Sequence, residues 1–115
     1  MESVIKTIKK PWGSIQIIYQ EPEITIKILT VKAGHRLSLQ SHQKRHEFWS
    51  VIEGRPCIQR GGVNKEMEHS KIYSIPKKVS HRLIANKKDC RVLETSFGEF
   101  DEEDIIRHED DYERG

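Results

Sequence analysis

The sequence predicts an all-β domain, built as a sandwich or a barrel, with one short helix near its C-terminus. Stretches 14–19 and 23–32 are rich in β-branched residues and roughly alternate apolar with polar side chains, as half-buried strands do. Shorter stretches of the same kind follow, and turns rich in Gly or Pro separate them. Closely spaced short strands are typical of sandwiches and barrels rather than of alternating strands and helices.

The bounds of each element follow from the same pattern. The predicted strands cover residues 14–19, 23–32, 36–40, 47–52, 57–60, 71–75, 81–85 and 91–97. The single predicted helix covers residues 101–107. It starts at Asp101, a side chain suited to capping, and carries acidic residues in its first turn, where the helix dipole favours them.

Length and composition indicate one domain and exclude some partners. The chain has 115 residues, which fits a single domain over 1–115. Only 35% of the residues are hydrophobic, which favours a thin-walled sheet structure and a homodimer that covers an exposed face. The net charge is +2, so a nucleic-acid partner is not expected. The acidic residues of 99–113 are interpreted as a solvated segment.

The cysteine content and the termini suggest a cytoplasmic protein. Cys57 and Cys90 are far apart and form no CxxC pair, so neither a disulfide framework nor a reactive thiol is predicted. The N-terminal residues lack the apolar core of a signal peptide. No apolar run approaches the length of a membrane span, so no membrane partner is expected.

Candidate metal ligands lie on three neighbouring predicted strands. Residues two apart on a strand point to the same face, so Gln40 and His42 share a face, which Arg36 also shares. Glu47 aligns with Trp49 on the next strand, and a carboxylate beside bulky apolar groups is costly unless it meets a cation or a proton. His81 opens a third strand after a turn that contains proline.

The donor set of these strands suits one divalent cation. Gln40, His42, Glu47 and His81 offer an amide oxygen, a carboxylate and two imidazoles. Mixed nitrogen and oxygen ligands fit Zn, Mn, Co, Ni or Fe and do not decide among them. A single histidine is more often structural than a ligand, but four candidates on neighbouring strands favour a metal site.

Two motifs resemble those of the cupin superfamily. The pattern Gly34-x5-Gln40-x-His42-x4-Glu47-x6-Gly54 resembles the first cupin motif, with Gln in place of the first histidine. Pro76-x-Lys78-x2-His81 resembles the second motif, although Lys78 replaces the usual Gly. This resemblance implies a small double-stranded β-helix, the cupin or jelly-roll barrel.

A closer resemblance covers nearly the whole chain. Lys10-Pro11-Trp12-Gly13, the cluster Arg45-x-Glu47-x-Trp49 and the segment 103–112 are similar to the type II phosphomannose isomerase family. In that family the cupin domain occurs alone or behind a mannose-1-phosphate guanylyltransferase domain, and we expect no guanylyltransferase activity in this chain. The resemblance places the family's ligands on Gln40, His42, Glu47 and His81.

The resemblance implies a metal-dependent isomerase that interconverts mannose 6-phosphate and fructose 6-phosphate. Such an enzyme moves a proton between C1 and C2, and a metal ion stabilises the developing negative charge. A general base is also required. The residues leave its identity open among His46, Lys44, Glu94 and Glu99, and His46 has the most suitable ordinary pKa. The alternative for His46 is a surface histidine facing away from the metal.

Contacts to the phosphorylated sugar are expected from Lys and Arg residues near the candidate metal ligands. Arg36 is the first candidate, both for substrate contact and for catalysis, because arginine binds phosphate oxygens bidentately. Arg82 and Lys10 follow, although either would also fit a surface charge. Lys44 is expected to share the face of His42, stands where many members of the resembling family carry histidine, and is a further candidate. Trp49 is expected to line the barrel near the metal.

Two other functions remain open on the sequence. Cupins commonly carry iron, so a metal-dependent oxygenase is one alternative, although Gln40 makes the set less like an oxygenase triad. The other alternative is a non-catalytic module that binds a sugar phosphate. Lys44 and the expected lack of a transferase domain keep that second alternative open.

Overall fold

The computed structural model describes residues 5–99, 101 and 103–112, and over these residues it contains eleven strands and no helix. The strands are β1 (Lys6–Lys10), β2 (Gly13–Glu21), β3 (Ile24–Val31), β4 (Leu39–Ser41), β5 (Arg45–Glu53), β6 (Cys57–Arg60), β7 (Val63–Glu66), β8 (Tyr73–Ile75), β9 (His81–Ile84), β10 (Cys90–Gly98) and β11 (Ile106–Glu109). The predicted all-β class is confirmed. No helix of the described residues is long and apolar enough to cross a membrane.

The strands form two antiparallel sheets. One has six strands in the order β1-β2-β3-β10-β5-β8, and the other has five in the order β11-β4-β9-β6-β7. The buried apolar cluster draws side chains from both sheets, among them Leu29, Trp49, Ile58 and Leu83. It covers one face of each sheet, as in other layered β-folds.

The inner face of the six-stranded sheet changes from apolar to polar along its central strands. Residues alternate between buried and half-buried along β3, β5 and β10, because successive side chains point to opposite faces. Paired inward residues of these three strands form rows across the sheet. The rows are Leu29, Val92 and Val51; then Lys27, Glu94 and Trp49; then Thr25, Ser96 and Glu47. The polar end of the barrel is therefore set by strand register.

The prediction of a helix over 101–107 is wrong. A single turn does form, since Asp101 accepts hydrogen bonds from the backbone N–H of Glu103 and, through its carbonyl, from that of Asp104. The chain then leaves this turn and pairs with β4 as strand β11. Pairing with an otherwise open sheet edge satisfies more backbone groups than one further helical turn would.

Candidate metal centre

Three buried side chains meet at the polar end of the barrel. Glu47 lies on β5, His81 opens β9, and His42 directly follows β4. One potential ligand atom of each lies within 4.8 Å of those of the other two. The His81 Nε2 is 3.2 Å from Glu47 Oε1, and the His42 Nε2 is 3.8 Å from Glu47 Oε2.

The backbone fixes which nitrogen of each imidazole faces the carboxylate. His42 Nδ1 donates a hydrogen bond to the Asp104 carbonyl at 2.6 Å, and His81 Nδ1 donates one to the Val79 carbonyl at 3.0 Å. A carbonyl oxygen only accepts, so Nδ1 carries the proton in both rings. Each neutral ring then presents an Nε2 lone pair towards Glu47. Histidine ligands in metal sites are oriented in this way, by a hydrogen bond from the nitrogen that does not bind the metal.

The electrostatics of the cluster require a cation between His81 and Glu47. Burial would raise the pKa of Glu47, but the hydrogen bond from His81 and the charges of His81, His42 and Arg45 lower it to about 2. Burial would lower the pKa of His81, but the hydrogen bond and charge of Glu47 raise it overall. Burial lowers the pKa of His42. Glu47 Oε1 has no other hydrogen-bond partner among the described residues, so either a proton on His81 or a metal ion must lie there.

Arg45, which the sequence marked as part of a family motif but not as a site residue, adds a fixed positive charge. Its Nε donates to Glu47 Oε2 at 3.1 Å, and its Nη2 lies 3.1 Å from His42 Nε2. The guanidinium is largely buried. Arg45 starts the same strand that carries Glu47 two residues later, so the spacing Arg-x-Glu was a usable signal.

Gln40, the fourth predicted ligand, is on β4. It pairs with His81 across β4 and β9, and both residues line one cavity, which is described below. Its Nε2 donates to Ser38 Oγ at 3.0 Å. Because the amide nitrogen serves as a donor there, the amide oxygen is the atom it offers to a cation.

The donor set fits a divalent transition metal. Two neutral imidazoles with Nε2 lone pairs, one ionised carboxylate and one amide oxygen are ligands that Zn, Mn, Co, Ni and Fe accept. Among the described residues His81 is the one polar partner of Glu47 Oε1, at 3.2 Å, so this oxygen and His81 Nε2 would together hold a metal ion in place of a proton.

A cavity of about 710 Å³ opens beside this cluster. Its wall includes Gln40, Arg45 and His81 from the metal centre, and Trp12 and Leu29 from the apolar core. Among the described residues that line it, seven are Lys or Arg and two are Asp or Glu: Lys6, Lys9, Lys10, Lys27, Arg45, Arg82 and Arg107, against Glu94 and Asp101. The whole chain has a net charge of only +2, so positive charge is concentrated here and favours an anionic ligand.

Of the predicted catalytic residues, Glu94 lies in this cavity. Trp49 Nε1 donates to Glu94 Oε1 at 3.0 Å, and Lys27 Nζ is 3.9 Å from Glu94 Oε2. Burial and the charge of Glu47 raise the pKa of Glu94, while Lys27, Arg45 and the hydrogen bond from Trp49 oppose that rise. A buried carboxyl with a raised pKa fits a general base near neutral pH.

Arg36, His46 and Lys44 are placed outside the cavity lining. Arg36 forms ion pairs with Asp111 at 2.6 Å and Glu109 at 3.1 Å. His46 is on the outer face of β5, where it contacts Ser74 Oγ at 2.7 Å and stacks on Phe48. The ammonium of Lys44 lies 3.3 Å from Asp101 and 3.9 Å from Glu99 at the surface. The predicted inward orientation of Arg36 and Lys44 is corrected, because neither residue belongs to a continuous strand with the ligands.

The remaining predicted contacts line the cavity. Lys10, Trp49 and Arg82 are all part of its wall. Arg82 is almost fully buried; its Nε donates to the Leu37 carbonyl at 3.0 Å and its Nη1 to Glu109 at 2.6 Å. Its Nη2 has no hydrogen-bond partner among the described residues, so it retains a donor for a ligand oxygen.

The chain matches the model of a family described as "Mannose-6-phosphate isomerase C-terminal" over residues 2–110. It belongs to this family. Its curated relatives include the xanthan biosynthesis protein XanB of Xanthomonas campestris pv. campestris, 34% identical over 111 residues, and a mannose-1-phosphate guanylyltransferase of Klebsiella pneumoniae, 31% identical over 111 residues. Each match covers 95% of this chain and 24% of the relative, so the chain spans about a quarter of their length.

Solved structures of other proteins share the fold of this chain. The capsular polysaccharide assembling protein CapF from Staphylococcus aureus superposes with a TM-score of 0.80 at 16% sequence identity, covering 90% of this chain and 34% of that one. At this identity the likeness concerns the fold alone. The predicted cupin barrel and the predicted family are both confirmed, and the family is one of sugar-metabolism enzyme domains.

Proposed function

We propose that this chain is a metal-dependent aldose–ketose isomerase that interconverts mannose 6-phosphate and fructose 6-phosphate. One observation carries the proposal: the buried set His42, Glu47 and His81 adjoins a cavity that is rich in Lys and Arg. The family match supports the choice of a phosphorylated hexose. The volume of about 710 Å³ lies in the usual range of small-molecule sites.

His42, Glu47 and His81, with the amide oxygen of Gln40, would hold the ion. A divalent metal bound there supplies Lewis acidity towards the oxygens on C1 and C2 of the sugar. Asp104 and Val79 keep the two imidazoles in the tautomer that binds a metal, through the hydrogen bonds to their Nδ1 atoms. Arg45 supports negative charge on Glu47 and on substrate oxygens nearby.

Glu94 is the base of the proposed reaction. Its carboxylate accepts the proton from C2 of the open-chain aldose, the electrons of that C–H bond form the C1–C2 double bond, and the C1–O π electrons move onto O1 to give an enediolate. The hydroxyl proton of O2 passes to O1, the C2–O double bond forms, and the same carboxyl returns its proton to C1. Glu94 is in the cavity one row from Glu47, whereas His46 faces the other side of the sheet. Burial holds the pKa of Glu94 above its ordinary value, which makes it a stronger base than an exposed carboxylate.

The phosphate group would bind to the cations of the cavity wall. Arg82 offers the buried Nη2 donor, and Lys10 and Arg107 bring further positive charge to the same wall. Cations placed around a phosphate give charge-assisted hydrogen bonds, which are stronger than neutral ones.

A coupled assay tests the proposal. Protein loaded with Zn, Mn or Co should form fructose 6-phosphate from mannose 6-phosphate, and chelation or His42→Ala should abolish this activity. Exposed Lys65 on β7 offers a control, because Lys65→Met should retain the activity. Turnover that survives both chelation and His42→Ala would sink the metal-centred mechanism. Metal-loaded protein that binds the sugar phosphate without turnover would instead indicate a binding module, and oxygen consumption would indicate an oxygenase.

A further inference from the structure

Lys27 is a buried lysine on the inner face of the six-stranded sheet, and it belongs to none of the sequence motifs quoted above. It lies on β3 between Thr25 and Leu29, and all three side chains point inwards. Its exposed fraction is 8%. Burying an ammonium costs free energy unless a partner compensates, and a hydrophobic residue of similar size would fit an ordinary core better. A lysine at this position therefore calls for a reason beyond packing.

Strand register places Lys27 next to Glu94, and Glu94 next to Trp49. Lys27 pairs with Glu94 across β3 and β10, and Glu94 pairs with Trp49 across β10 and β5. The row lies directly beside the row that contains Glu47. The three side chains all line the cavity that adjoins the metal centre, so the pair is within the substrate chamber and not in the closed core.

The two oxygens of Glu94 have different surroundings. Oε1 accepts a hydrogen bond from Trp49 Nε1 at 3.0 Å, which fixes the plane of the carboxylate. Oε2 is 3.9 Å from Lys27 Nζ. This distance is too long for a hydrogen bond but short enough for a strong charge interaction in a buried site. The contact thus stabilises negative charge on Oε2 without using the lone pair that would accept a proton.

We propose that Lys27 is a positioning residue for proton transfer: its ammonium keeps Glu94 ionised in a buried site and leaves Oε2 able to accept the substrate's proton. The inference rests on the proposed function, because it takes Glu94 as the base of the isomerase. The proton moves from C2 of the sugar to Oε2 and then to C1, and Lys27 neither gains nor loses one. Lys27 acts on the reaction through Glu94.

Other charged groups near Glu94 also affect its pKa. Glu47 on β5 raises the pKa of Glu94, and Arg45 on β5 lowers it alongside Lys27 on β3. The charges of Glu94 and of His81 on β9 also interact. Burial raises the pKa of Glu94 most. Removing Lys27 takes away one of the cations that oppose burial, while Glu47, Arg45 and His81 stay in place.

The test compares zinc-loaded wild-type protein with Lys27→Met, Lys27→Arg and the surface control Lys65→Met. The titration of the Glu94 carboxyl is followed by NMR of protein labelled with ¹³C in its Glu carboxyl groups, with the signal assigned through Glu94→Gln. We expect Lys27→Met to raise the pKa of Glu94 by about one unit. Lys27→Arg and Lys65→Met should leave it near the wild-type value. Lys27→Gln replaces Lys27→Met if that variant does not fold.

Kinetics supply the second readout. The acidic limb of kcat/KM should move upwards by about one pH unit in Lys27→Met, with KM changed less than about threefold at high pH. Lys27→Arg should restore the wild-type profile, which a purely structural role would not require. An unchanged Glu94 titration in Lys27→Met would overturn the inference. A shifted titration in a protein whose wild type isomerises no hexose phosphate would instead overturn the proposed function.

Discussion

Single residues carry the chemistry of this barrel, and Glu47 is the central one. It is buried, ionised and in contact with two imidazoles and a guanidinium. The row beside it holds Glu94 and Lys27, whose charges also lie away from water. So many buried charges are tolerated only where each has a partner or awaits a ligand, which explains why they cluster at one end of the barrel.

Substituting each of the two candidate bases, Glu94 and His46, in turn tests the assignment of Glu94. Glu94→Gln keeps the shape of the side chain but removes the proton acceptor, so kcat should fall by a factor on the order of 10² to 10⁴. His46→Ala should leave kcat little changed, because His46 contacts Ser74 on the outer face of the sheet. Steady-state kinetics at saturating metal check both. The reverse pattern, with loss only in His46→Ala, would assign the base to His46.

Metal affinity should depend on pH through the histidines. The pKa of His81 is raised in the metal-free protein, so a proton competes with the metal at Nε2 below that pKa. Affinity should then fall by about tenfold per pH unit, and more steeply once His42, whose pKa is lowered, is protonated as well. Competition titrations with Zn between about pH 5.5 and 8 measure this dependence. Constant affinity over that range would argue against histidine ligands.

The stability of the metal-free protein should also depend on pH through His81. Because the folded pKa of His81 lies above its unfolded value, His81 contributes stability below about pH 6.5. That contribution is lost as the pH rises through the folded pKa. His81→Gln should remove this decline, as urea unfolding of chelated protein at several pH values would show. A wild-type decline that persists unchanged in His81→Gln would contradict the raised pKa.

At the level of elements, the C-terminal segment is tied to the metal centre. The carbonyl of Asp104 orients His42, and its carboxylate accepts the backbone N–H groups of Gln43 and Lys44 at 2.8 and 2.9 Å. The strand that follows, β11, brings Glu109 to Arg36 and Arg82. The segment thus holds in place the loop between β4 and β5, which carries His42.

Removing the Asp104 carboxylate should loosen that loop. Asp104→Ala leaves two backbone N–H groups without their acceptor, and the free energy of unfolding should drop by about 1–3 kcal/mol. Metal affinity should fall as well, by about 10- to 100-fold, since the orientation of His42 depends on this turn. Urea unfolding and metal titration provide the two measurements, with exposed Glu103→Ala as the control. Unchanged metal affinity in Asp104→Ala would show that the turn does not orient His42.

At the level of the whole molecule, the sequence predicted the direction of side chains correctly where a strand is continuous. Alternation along the predicted strand 47–52 placed Glu47 and Trp49 on one face, and both point inwards on β5. The same counting failed for Arg36 and Lys44. Strand β4 begins only at Leu39, and a turn separates it from β5. Counting every second residue therefore does not predict which way Arg36, before β4, or Lys44, in the turn, points.

Three strands were missed for a physical reason. β1, β7 and β11 are exposed along most of their length and rich in charged residues, so no alternation marks them. Their strand character comes from pairing with a neighbouring strand, which sequence alone does not show. Lys27 could have been found, because a lysine on the inward face of 23–32 is out of place there. The predicted homodimer stays a prediction.

The most direct test of the account is where a metal ion binds. Crystals of metal-loaded protein, recorded at the absorption edge of the metal, should show one anomalous peak per chain at about 2.0–2.2 Å from His42 Nε2, His81 Nε2 and a Glu47 oxygen. The amide oxygen of Gln40 should complete the set. No peak at this position, or a peak elsewhere that leaves these three side chains as they are, would contradict the central claim.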